Sequence, residues 1–258
     1  MPMPGFRVRG PLLAAIAVAG IAGGMTVLPG FSPSGSQDLP DFTQWPAGPE
    51  RKTRFFRYLR PLVEAENARI LADRERLSRL AGQAARDRLS WLDRRRLRTL
   101  ADDYDVPYVG VHPTTVVAQL LLRADAVPVS LALAQAAKES GWGTSRFARE
   151  GFALFGERCF EAGCGMVPRA RRAGLKHEVT RFDSVREAVS GYIMNLNTHR
   201  DYEAFRQMRA QLRNQASPHP GIDLAGTLVS YSERREAYIR EIRQMIRFNG
   251  LSKGIIDG

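Results

Sequence analysis

Cysteine and histidine are scarce in this chain. Two cysteines, Cys159 and Cys164, and four histidines, His112, His177, His199 and His219, are all that its 258 residues contain. The histidines are scattered, and none forms the H-E-x-x-H pair of a helix-borne zinc site. There is no G-x-S-x-G elbow for a serine nucleophile, no phosphate-binding glycine loop and no internal repeat. Zinc usually takes four ligands, and only His177 lies near the segment CFEAGC. A small disulfide-closed loop is therefore favoured over free thiols, with zinc last. No metal or organic cofactor is expected.

Positive charge is what the chain has in excess. Thirty-eight Lys and Arg stand against 27 Asp and Glu, a net charge of +11, and most of the cations are arginines. Such a surface attracts polyanions by long-range steering, whether nucleic acid, anionic lipid or acidic wall polymer. The N-terminus separates these options. Arg7 and Arg9 precede an uncharged run from Gly10 to Ser36 with its apolar core at Leu12 to Leu28. This is the pattern of an export signal over residues 1–30, either removed or kept as an inner-membrane anchor. A buried Ala-rich helix accounts poorly for five glycines and a closing proline. Residues 31–50 carry prolines among glycines and serines and read as a linker. Residues 51–103 place leucines at helical intervals among dense Arg and Glu, a charged helical collar packing on the next domain. Pro61 and Gly82 argue against one unbroken helix there. The run Arg94, Arg95, Arg96 and Arg98 has no interleaved aromatics and no recognisable module, so nucleic acid is not an expected partner.

The second block, residues 104–250, is mainly helical, and residues 251–258 form a tail. A helix is expected from Pro113, another from about Pro128 to Gly141, and a third behind a Ser184/Glu187 capping box. GIDLAGTLVSYS and REAYIREIRQMIRFNG supply two more. Between Gly163 and Phe182, turns rich in Gly, Pro and Arg surround HEVTRF, which suits a strand or lobe edge. The fold class is thus mainly α with one small β or irregular insertion.

Glu139 is the first candidate for chemistry. It sits at the last turn of a small, apolar helix, where the helix dipole disfavours a carboxylate by up to about 1 kcal/mol. Leu131, Gln135 and Glu139 fall at i, i+4 and i+8, so the acid lies near an apolar face. A partly buried carboxyl keeps its proton more easily, as a general acid must. The competing reading is an ordinary surface glutamate. Trp142 follows three residues later and suits either shielding the acid or lining a carbohydrate site. Glycoside cleavage wants a second carboxylate or the substrate's own amide across the sugar. Glu178, on the non-helical insertion, is placed for this, while Asp183 reads as helix-entry chemistry before Ser184. Tyr192, Tyr231 and Tyr238 at helical spacing are core or half-core by default.

The stretch VPVSLALAQAAKESGWGTSRFAREG resembles the glucosaminidases of glycoside hydrolase family 73, which share the lysozyme and lytic-transglycosylase fold. ALFGERCFEAGCGMVPRARRAG and KHEVTRFDSVREAVSGYIMNLNTHRDYEAFR are similar to its Bax-type branch, over roughly residues 104–249. The order of LFG, CFEAGCG, HEVTRF and YSERREAYIREI makes the resemblance specific. It implies a lysozyme-like helical domain with a small lobe, Glu139 as general acid, Glu178 as the lobe glutamate and Tyr238 as the tyrosine near the cleft. It also implies Trp142, Phe155 and Tyr192 around the substrate, and peptidoglycan glycan strands as the partner in the periplasm or cell envelope. One departure is Phe152-Ala153 before LFG, where relatives commonly carry asparagine; activity is expected to survive it. The implied reaction is hydrolysis of the β-1,4 bond after N-acetylglucosamine. A muramidase or lytic transglycosylase, and a non-catalytic wall-binding protein, are the alternatives.

Overall fold

The computed structural model describes residues 39–253, except 170, 172 and 173. The export or anchor segment, the first part of the linker and most of the tail lie outside the described residues. Among those described, no helix is long and apolar enough to cross a membrane.

The chain is mainly helical with a small sheet. In order, α1 is Pro49–Ala84, α2 Trp91–Asp103, α3 Pro113–Arg123, α4 Val129–Ser140 and α5 Arg146–Gly151. Three short strands come next: β1 Arg158–Cys159, β2 Gly165–Met166 and β3 Glu178–Thr180. Then come α6 Val185–Thr198, α7 Glu203–Gln215, α8 Pro220–Ala225 and α9 Arg235–Phe248. The strands form one antiparallel sheet in the order β1-β3-β2, with Cys159 opposite Glu178 and Gly165 opposite Thr180. This is the helical domain with a minor β lobe that the family resemblance implies.

Helix α4 is the axis of the fold. Every residue from Leu131 to Ala137 is buried, and α1, α8 and α9 pack around it. Its alanines let these neighbours approach closely. Helix α6 starts as the sequence indicates: Ser184 Oγ accepts the Glu187 N–H at 3.1 Å. The Glu187 carboxylate reaches one residue further back than in a standard capping box and accepts the Asp183 N–H at 2.7 Å.

The long α1 is the main departure from the sequence reading. It runs unbroken through Pro61 for 36 residues. An internal proline costs a helix about 3 kcal/mol through its missing N–H and its clash with the preceding turn. Against this, α1 buries Phe55, Phe56, Leu59, Val63, Ile70, Leu77 and Leu80, each contributing roughly 1.5–3 kcal/mol on burial. Tertiary packing outweighs the local break. Gly82 lies within the last turn, where its cost of about 1 kcal/mol is easily absorbed.

Polar residues of α1 also tie it down. Asn67 exchanges two hydrogen bonds with the backbone of Val127, at 2.7 and 2.9 Å, and so fixes the entry to α4. Ser190 of α6 donates to Glu66 at 3.0 Å. The end of the proline-rich stretch is held too: Phe42 is 1% exposed and packs against Trp45, Phe55 and Tyr58. The charged collar and the second block therefore share one hydrophobic core.

Because that core is shared, Phe55→Ala should destabilise the whole molecule by about 3–5 kcal/mol. Urea unfolding followed by far- and near-UV circular dichroism should show a single transition moved to lower denaturant. Two separated transitions would mean that α1 folds apart from the rest.

Candidate active site

The last turn of α4 is tightly knotted. Gly141 ends the helix in the left-handed conformation, at φ 57°, where a side chain would be strained. The Trp142 N–H closes onto the Ala137 carbonyl at 2.9 Å. Ser140 Oγ donates to the Ala136 carbonyl at 2.6 Å and accepts the Gly143 N–H at 2.8 Å. Lys138 supplies the cation that a helix C-terminus prefers and pairs with Glu241 of α9. Glu139 is thus carried by a rigid turn whose dipole is already compensated.

The half-buried Glu139 carboxyl meets two elements. Gly156, at φ +69°, passes so close that a Cβ there would lie 3.3 Å from Glu139 Oε2. Glycine takes this conformation without strain, and a side chain there would crowd the carboxyl. From α9, the Tyr238 hydroxyl faces the carboxylate and favours its ionised form. Burial raises the Glu139 pKa above the ordinary carboxyl value; the Tyr238 hydroxyl, Lys138 and Arg158 pull it back, and Glu241 adds to the rise. The net effect is upward, which favours a proton held on Glu139.

Behind this pair lies a closed circuit of contacts. Gln135 donates to the Tyr238 hydroxyl at 2.9 Å and accepts from the Tyr192 hydroxyl at 2.7 Å. The Tyr192 ring stacks on Phe155, with centroids 3.9 Å apart and planes 8° from parallel. The Phe155 carbonyl accepts from the Tyr231 hydroxyl at 2.8 Å, and Tyr231 stacks on Tyr238 at 5.4 Å. The circuit therefore joins α4, α6, the LFG loop and α9.

Phe155 and Tyr192, expected around the substrate, are 2% and 0% exposed. They support the site from beneath and offer no free face to a sugar. Trp142 packs edge-on against Phe55 and Phe56 with Lys52 over its ring, so its contacts are with α1. It anchors the long helix beside the knotted turn.

Glu178 sits on β3, the middle strand of the lobe. Its Oε1 accepts the Gly163 N–H at 3.2 Å and its Oε2 the Gly165 N–H at 2.9 Å. These two amides hold its pKa below the usual carboxylate range. Cys159 and Cys164 close the same loop as a disulfide. Their sulfurs lie near the Glu178 carboxylate, but a disulfide offers no thiolate to a metal. An open groove of about 540 Å³ between α1, α7 and α8 contains none of Glu139, Glu178 or Tyr238.

Two residues of the site escape a reading of the sequence. Gln135 shows only as an i−4 neighbour of Glu139. Glu157 shows as one charge at the start of an Arg-rich lobe. Its Oε1 is buried with no hydrogen-bond partner, and its Oε2 lies 3.4 Å from where a Cβ on Gly191 of α6 would stand. Burial alone pushes its pKa up to about 8. Its backbone carbonyl accepts the Thr180 N–H at 2.9 Å, so it joins the lobe to the turn that touches Glu139. In the unfolded chain this carboxyl ionises near 4.5, and in the folded chain near 8. Its contribution to stability is therefore full below about pH 4.5 and falls as pH rises towards 8. Glu157→Gln should flatten that fall, leaving the variant more stable than wild type at pH 8 by a few kcal/mol. Thermal melts at pH 5 and pH 8 check this; an unchanged pH slope would mean that Glu157 is ionised in the folded protein.

A family model described as mannosyl-glycoprotein endo-beta-N-acetylglucosaminidase matches residues 116–251, a span that runs from α3 past the end of α9 and includes Glu139, Glu178 and Tyr238. Protein bax of Escherichia coli (strain K12) is 35% identical over 214 residues, which is 83% of this chain and 75% of that protein. No solved structure matches. The family match covers just over half of the chain and the relative covers most of it, so the chain belongs to the endo-β-N-acetylglucosaminidase family of glycoside hydrolases.

Proposed function

We propose that this protein hydrolyses the β-1,4 bond after N-acetylglucosamine in peptidoglycan, with Glu139 as general acid. The observation that carries the reading is the contrast between its two candidate carboxyls. Burial raises the pKa of Glu139, while the Gly163 and Gly165 amides lower that of Glu178. Environments that push two carboxyls apart in this way assign an acid and an anion. Glu139 protonates the leaving oxygen. Glu178, ionised on the lobe, activates water or stabilises the oxocarbenium-like state, unless the substrate's N-acetyl group attacks and Glu178 orients it. Tyr238, whose hydroxyl faces the Glu139 carboxyl, positions it.

The same reading assigns the catalytic parts to residues 104–250 and gives residues 1–30 the role of export signal or membrane anchor. The protein then works at the cell envelope, where its net charge of +11 favours approach to acidic polymers. A muramidase or lytic transglycosylase would use a similar acid and differ in its products.

Purified peptidoglycan digested by wild type should yield new N-acetylglucosamine ends after borohydride reduction, read by mass spectrometry. Glu139→Gln should lower the rate by about 10²–10⁴-fold. Reduced muramic or anhydro-muramic ends would move the enzyme to the rival class. Activity against pH should be bell-shaped, falling on the alkaline side as Glu139 loses its proton and on the acid side as Glu178 gains one. Glu178→Gln should abolish the acid limb and leave the alkaline one in place.

A further inference from the structure

We infer that Tyr192 and Gln135 are positioning residues that fix the direction of the Tyr238 hydroxyl proton, so that it points to Glu139. The inference gives the proposed acid a tuning device, and in its catalytic meaning it rests on that proposal.

The argument is a count of donors and acceptors. Tyr192 is wholly buried, and among the described residues its hydroxyl hydrogen bonds only Gln135 Oε1, at 2.7 Å. A buried phenol must give its hydrogen to an acceptor, so Gln135 presents oxygen to Tyr192 and nitrogen to Tyr238. Gln135 is also 0% exposed, so its amide is shut off from bulk solvent. Its Nε2 donates to the Tyr238 oxygen at 2.9 Å. That oxygen is thereby occupied as an acceptor, which leaves the Tyr238 hydrogen free to turn towards the neighbouring Glu139 carboxylate, the inferred last link. The polarity runs one way, from Tyr192 to Gln135 to Tyr238 to Glu139, and bonds aligned in this manner strengthen one another.

The direction has a chemical consequence. A hydroxyl that donates to Glu139 favours its ionised form and opposes the rise that burial imposes. The opposite orientation, with the amide turned over, would draw the Tyr238 hydrogen to Gln135 Oε1 and set a phenol oxygen against the carboxylate. Tyr192 therefore tunes Glu139 from two hydrogen bonds away. The other groups that face Glu139 are Lys138 on its own helix, Arg158 of β1, and Tyr231 and Glu241 from the C-terminal segment. Removing the Tyr192 hydroxyl changes none of them. The Phe155 stack needs only the ring, so Tyr192→Phe keeps the packing.

The test is a ¹³C NMR titration of the glutamate side-chain carboxyls in the full chain, with Glu139 assigned by its loss in Glu139→Gln. Tyr238→Phe should raise the Glu139 pKa. Tyr192→Phe should raise it in the same direction by less, and Gln135→Met should do likewise if the Tyr192 variant folds poorly. The double variant Tyr192→Phe/Tyr238→Phe should match Tyr238→Phe alone, because the relay acts only through that hydroxyl. Repeating the series in Glu157→Gln removes the other carboxyl within electrostatic reach of Tyr192. A Glu139 titration unmoved by Tyr192→Phe, or additive effects in the double variant, would overturn the relay. The alkaline limb of kcat should move up in step with the pKa. Since the NMR readout needs no turnover, an active Glu139→Gln would sink the proposed acid without touching the relay, and the reverse also holds.

Discussion

A helix covered on every side must be built from small and apolar residues, and any polar group it carries must find its partner inside. Helix α4 meets the first condition with Leu131, Leu133 and its alanines, and the second with Gln135 and Ser140. An unsatisfied buried amide would cost roughly 1–3 kcal/mol. Gln135 avoids this by bonding tyrosines from two different helices, α6 and α9. The satisfaction of one side chain thus dictates where those helices sit relative to α4. Glu139, one turn further on, inherits its surroundings from that arrangement.

Three glutamates around this axis show how environment sets behaviour. Glu139 is partly buried, and its pKa rises against the pull of a hydroxyl and two cations. Glu178 is held by two amides and stays ionised more readily than a free carboxyl. Glu157 has burial without a partner and keeps its proton to about pH 8. The same residue type therefore appears as a carboxyl raised by burial, a fixed anion and a neutral filler within one stretch of structure. The filler lies between the other two in the chain.

How much of this a reader of the sequence can see depends on whether the signal is local. The stop at Gly141, the start at Pro113 and the Ser184 cap are written in adjacent residues, and the structure has all three. The passage of α1 through Pro61 is not local, since it is decided by Phe55, Leu59 and Val63 meeting residues far along the chain. Glu139 stands out because a carboxylate at a helix C-terminus is unfavourable by itself. Glu157 does not, because a glutamate beside arginines looks solvated, and only the approach of α6 makes it buried. Trp142 is legible only in part. An aromatic near a candidate acid suggests a sugar platform, while its edge-on contacts with Phe55 and Phe56 depend on a helix far back in the chain.

The disulfide belongs to this picture through its place rather than its strength. A bridge between residues five apart in the chain contributes only about 2 kcal/mol by restricting the unfolded state. It closes the loop that carries the Gly163 amide and ends one residue before Gly165, and these two amides lower the Glu178 pKa. The lobe has little core of its own: Phe160, Val167 and Leu175 are exposed, and its strands are two or three residues long. Such an element cannot hold two amides against a carboxylate by packing alone. The covalent link does so locally, and it forms only where conditions are oxidising. The amide contacts that lower the pKa of the lobe glutamate are therefore backed by a bond that a reducing environment would break.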